Sequence, residues 1–108
     1  MRKTGRTILR LSAALVLLGA AVPVHAHHPT ARCQQQDAQT IVCRGGFSDG
    51  GGAAGVVMDV ISYDEKILIS GKLDDKSTFA FKKPQGDFYV LMDAGAGHVV
   101  EIDHTEIK

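Results

Sequence analysis

Cleavage of the chain after Ala26 would leave His27 with a free α-amino group beside its own imidazole. Those two nitrogens can chelate one ion in a ring, and His28 supplies a third donor immediately after them. Imidazole suits nickel, copper and zinc, and an α-amino group needs only mild deprotonation near neutral pH. Pro29 stands third, so this is not the amine-x-x-His copper–nickel pattern, and proline's missing amide removes the backbone as a ligand there. His98 follows Gly95-Ala96-Gly97, a backbone loose enough to aim it at an ion or a partner. His27, His28 and His98 are therefore the candidate metal ligands. The competing readings are a frayed terminus with accidental histidines and a histidine that caps a turn. His104 lies six residues beyond His98. At about 3.3 Å per residue the two are roughly 20 Å apart, too far to share an ion on a straight strand. His104 reads as a solvated residue near the end of the chain.

Cys33 and Cys43 are the only cysteines. An even count in a chain bound for an oxidising compartment reads as a disulfide, and nothing resembles Cys-x-x-Cys. The two positions are symmetric about Ala38, so a hairpin turning there would set them opposite one another, a geometry that suits a cross-strand bridge.

Other chemistry finds little to work with. Asp64-Glu65 and Asp74-Asp75 are adjacent pairs at turns, which diverge rather than form acid–base dyads, and calcium wants more oxygen ligands than either turn offers. Ser48, Ser62, Ser70 and Ser77 sit in no nucleophile elbow or Ser-x-x-Lys context. The run Gly50-Gly51-Gly52-Ala53-Ala54-Gly55 matches G-x-G-x-x-G in form. That fingerprint needs a helix after the glycines, and the β-branched run at 56–63 follows instead. We expect a protein that is not an enzyme.

These side chains must be held by something, and the chain divides into an address and a domain. Arg2, Lys3, Arg6 and Arg10 precede an apolar run at 11–22, Pro23 breaks it, and Val24-His25-Ala26 fits the small-residue cleavage rule. The run is short for a bilayer span of about 20 residues, and Arg32 before Cys33 is incompatible with a lipid-attachment box. We read residues 1–26 as a cleaved secretory signal and residues 27–108 as one domain, periplasmic or secreted, with no membrane span after cleavage. Of the 12 Lys and Arg, four precede the cut, leaving eight against 12 acidic residues and a net charge of −4. That balance argues against nucleic acid as a partner.

Within the domain, residues 88–93 (Phe88-Tyr89-Val90-Leu91-Met92-Asp93) form the strongest strand signal. They are apolar on both faces, as expected of a strand inside a sheet. Further strands are expected at 32–36, 40–47, 56–63, 67–73, 78–82 and 98–104, with turn chemistry between them and 27–30 as a polar lead-in. About seven short strands with no helical period specify a small antiparallel β-sandwich, all-β, Ig-like or transthyretin-like, with one disulfide.

Arg44-Gly45-Gly46-Phe47-Ser48-Asp49-Gly50, then Leu68-Ile69-Ser70-Gly71-Lys72-Leu73-Asp74-Asp75, Phe79-Ala80-Phe81 and Asp93-Ala94-Gly95-Ala96-Gly97-His98 run in a familiar order. In these the chain resembles the exported β-sandwich accessory proteins of nickel and cobalt uptake transporters. More broadly it is similar to carboxypeptidase-regulatory-like and transthyretin-like domains. The resemblance implies a bound nickel or cobalt ion and an inner-membrane metal transporter as partner. It departs from the pattern where Leu73 replaces a usual threonine and Ser77 a usual glycine. The tyrosine-arginine-glycine-serine segment of transthyretin-like hydrolases is missing from the ending Thr105-Glu106-Ile107-Lys108. Two alternatives stand beside this reading: a metal-independent interaction module, and a copper carrier built on His27.

Overall fold

Alternating apolar side chains need a second layer to bury against, and here two antiparallel sheets supply it to one another. The computed structural model describes residues 27–108; the secretory signal expected at 1–26 lies outside the described residues. The strands are β1 (Pro29–Gln35), β2 (Thr40–Phe47), β3 (Val57–Ser62), β4 (Ile67–Lys72), β5 (Thr78–Lys82), β6 (Phe88–Asp93) and β7 (Val99–Asp103), followed by a 3-10 turn, His104–Glu106. One sheet has the order β1-β2-β5 and the other β4-β3-β6-β7. Lettered in sequence, this is A-B-E against D-C-F-G. It differs from the constant-type immunoglobulin arrangement only in the sheet that the fourth strand joins. Among the described residues no helix is long and apolar enough to cross a membrane.

β6 lies between β3 and β7, as its two apolar faces predict. Phe88, Val90 and Met92 are buried against Met58, Val60, Ile41 and Phe81, and together these form the centre of the core. Cys33 and Cys43 face each other across the β1–β2 ladder with their Cα atoms 4.0 Å apart, and a disulfide joins them. Cys43 is fully buried, so the bridge ties the edge strand β1 to the floor of the core.

The bounds of four strands differ from expectation. β1 begins at Pro29 rather than at residue 32, because Pro29 and Thr30 pair with Phe47 and Gly46. An edge strand tolerates a proline whose missing N–H faces away from the ladder. His98 and His104 fall just outside β7, one in the turn before it and one in the 3-10 turn after it. β3 and β4 are each trimmed by a residue or two, and Leu68 is skipped in their pairing, since Ile61 opposes Ile67 and Val60 opposes Ile69. This bulge turns the exposed edge of β4, a device that discourages edge-to-edge pairing.

The sandwich closes along its β4–β5 flank through a glycine. A Cβ on Gly71 would stand 2.3 Å from the ring of Phe79, so only glycine lets that ring cross from β5 onto β4. The departure at Ser77 is also explained. Its φ is 62°, the left-handed conformation in which glycine is usual, and its Oγ accepts a 2.8 Å hydrogen bond from the Ala53 N–H. The hydroxyl fastens the β2–β3 loop to the β4–β5 turn, work that a glycine in the same conformation would leave undone.

Candidate functional site

The strand order gathers one set of loops at one end. The start of β1, the β2–β3 loop, the β4–β5 turn and the β6–β7 turn all lie at the end where Pro29 opposes Phe47 and Asp93 opposes Val99. This pole carries His27, His28 and His98.

Ser48-Asp49-Gly50-Gly51 is built to turn, and its side chains reach the N-terminal segment. The Ser48 N–H donates to the His28 carbonyl at 2.8 Å, and the His28 N–H donates to Ser48 Oγ at 3.1 Å. Asp49 Oδ1 accepts from the Gly51 N–H at 2.8 Å. That bond fixes the carboxylate and leaves Oδ2 pointing at His27, whose Nδ1 lies 3.4 Å away. Residues 27–28 are therefore held against a loop, not frayed. The His28 backbone is pinned while its side chain stays exposed. Asp49 is a member that sequence reasoning missed. The signal was present as an aspartate two residues before a glycine, the Asx-turn pattern.

His98 is exposed in the β6–β7 turn. Its backbone closes that turn, with the His98 N–H donating to Gly95 at 2.8 Å and its carbonyl accepting from Ala94 at 2.9 Å. Gly95 and Gly97 take φ of 119° and 76°. The turn thus presents the imidazole to solvent at the same pole as His27. Among the described residues no three His, Cys, Asp or Glu side chains are arranged around one ion, so His27, His28 and His98 do not form a closed ligand set. No family model, curated protein or solved structure matches the chain. The functional reading therefore rests on these residues and on the resemblance given above.

The reading of His104 as solvated requires correction. Its side chain is 26% exposed and sits at the opposite pole, on the ring of Phe88 (centroids 5.4 Å) and edge-on to Tyr63 (5.6 Å). Nδ1 is 3.1 Å from the Phe88 carbonyl and 3.1 Å from the Tyr63 hydroxyl, and Nε2 is 3.3 Å from Asp87 Oδ1. Sequence could not show this, because the partners are Asp87 in the β5–β6 turn, Phe88 at the start of β6, and Tyr63, 41 residues away.

Asp103 is the hub of this second cluster. The Thr105 hydroxyl donates to Oδ2 at 2.6 Å, the Tyr63 hydroxyl donates to Oδ1, and the Thr105 N–H donates to Oδ2 at 3.1 Å. The Thr105 hydroxyl first, and Tyr63 next, hold the Asp103 carboxyl down at about 2. The same bond to Asp103 pushes the Tyr63 phenol up to about 12. A carboxyl depressed in the folded state stabilises the fold above its unfolded value and loses that contribution as pH falls through the folded one. Asp103→Asn is therefore expected to lower the thermal midpoint at neutral pH. Its gap to wild type should close between about pH 4 and pH 2, followed by circular dichroism. A gap of unchanged size at the acid end would count against this role for the carboxylate.

Proposed function

We propose that the domain binds a divalent transition-metal ion, nickel or cobalt, at its N-terminal pole and presents it to a membrane uptake system. The observation that carries this reading is the seating of His27 against Asp49. After cleavage at Ala26 the His27 amine and imidazole would chelate one ion, and Asp49 Oδ2 stands where it can join them. The 3.4 Å between Nδ1 and Oδ2 is close to the spacing of two ligands on one tetrahedral ion with bonds of about 2.0–2.1 Å. Three donors from the protein leave coordination positions open, which suits an ion that must be handed on. His28 and His98 stand at the same pole as exposed imidazoles for the approach or departure of the ion. Copper is the alternative cargo, since it binds such nitrogen donors more tightly than nickel or cobalt.

The test is calorimetric titration with nickel, cobalt and copper of protein whose N-terminus is confirmed as His27 by intact mass. Submicromolar binding that His27→Ala weakens by about tenfold or more, roughly 1.4 kcal/mol, is the expected result. An unchanged affinity in that variant removes the N-terminal site. Absence of binding to any of the three ions favours the second reading, a metal-independent interaction module. The exposed apolar side chains Ile67 and Leu68 on the edge strand β4, 60% and 46% accessible, support that alternative.

A further inference from the structure

On the outer face of the β1-β2-β5 sheet, Arg32 and Arg44 stand directly opposite one another. Both are exposed, and neither is paired with a carboxylate among the described residues. Like charges in this position repel and cost a sheet stability, a cost that an anion lying between them would remove. A cleft of about 200 Å³ runs along the pair, with Gln34 and Gln36 adding amide groups to its lining.

The surroundings extend the pattern. Strand residues on this face include Lys82 and no aspartate or glutamate. The outer face of the other sheet holds Asp59, Asp93, Glu101 and Asp103. A net-acidic domain thus concentrates positive charge on one face. Guanidinium forks match carboxylates through two parallel hydrogen bonds, so two in register make a clamp for oxyanions. Lys82 lies four residues along β5 from Thr78, the position opposite Arg44. That is about 13 Å, more than one small anion spans but within reach of a short stretch of chain.

We propose that this face docks an extended acidic segment of a partner protein, its carboxylates taken by Arg32 and Arg44 with Lys82 continuing the track. The surface is distinct from the N-terminal pole, so it stands or falls independently of metal binding.

The experiment is fluorescence anisotropy of labelled hexaglutamate titrated with the purified protein at low ionic strength, with inorganic phosphate as competitor. Saturable binding is expected, weakened about tenfold or more by Arg32→Gln and by Arg44→Gln. Each variant should melt no lower than wild type, and about 2 °C higher where the repulsion is relieved. Arg44→Lys, which keeps the charge but loses the fork, should fall between. Failure of the peptide to bind, or affinity unchanged in both glutamine variants, overturns the proposal. Displacement by phosphate at concentrations equal to the peptide's also overturns it, by showing a small-anion site. So does arginine-dependent self-association without peptide binding, which would make the occupant the acidic face of a second copy.

Discussion

Acetylation of the His27 α-amino group is expected to lower the nickel affinity of the protein by about a hundredfold, roughly 2.7 kcal/mol. The addition leaves every side chain in place but converts the His27 amine into an amide. An α-amino group gives up its proton near about pH 8 and binds metal as a neutral donor, whereas an amide nitrogen at neutral pH does not offer its lone pair. The chelate ring through the amine and Nδ1 is lost, and the imidazole is left with Asp49 alone. Asp49→Asn is a milder change, because the amine and ring remain, and a loss of about tenfold is expected. His98→Ala should leave the affinity of the first ion near wild type, since the His98 side chain is not gathered into a ligand set with His27. The order of the three effects discriminates. Acetylation far above Asp49→Asn, with His98→Ala near zero, is the signature of an amine-anchored site. An acetylated protein that binds as tightly as the wild type would sink it.

The parts of the molecule legible in the sequence are those set by neighbours along the chain. β2, β5 and β6 follow from alternation over five to eight residues and were bounded correctly. The Cys33–Cys43 bridge followed because a hairpin about Ala38 makes its register a local property. Ser77 shows the limit of a turn pattern: the left-handed conformation was implied by the glycine it replaces, but the bond to Ala53 that favours serine comes from another loop. His104 and Arg32–Arg44 were not legible for the same reason. A histidine looks solvated until Phe88 and Tyr63 are folded against it. Two arginines twelve residues apart become a pair only when β1 and β2 fall into register. A net charge of −4 hides them, since an average over the chain carries no information about faces.

Replacing both cysteines with alanine is expected to destabilise the domain by roughly 2.5–3 kcal/mol, the stabilisation that the chain-entropy model gives for closing a loop of this length. For a domain of this size that is a fall in thermal midpoint of about 10–20 °C. The loss should not be evenly spread. β1 is an edge strand with β2 as its one ladder partner, and beyond the bridge it is held by its packing along β7 and by the Gln35 N–H bond to the Lys108 carbonyl. Without the bridge β1, which follows directly on His27 and His28, opens at less cost than the rest of the sandwich, so its amides should exchange faster than those of β6. Metal affinity is then coupled to the disulfide, because Asp49 can meet His27 only while β1 stays paired to Phe47. Reduction of the wild type under native conditions should reproduce the variant in urea midpoint, β1 exchange and nickel affinity. If the midpoint falls but affinity does not, the ion is held by the terminal histidines as a free peptide would hold it. The seat at Asp49 would then have no part in binding.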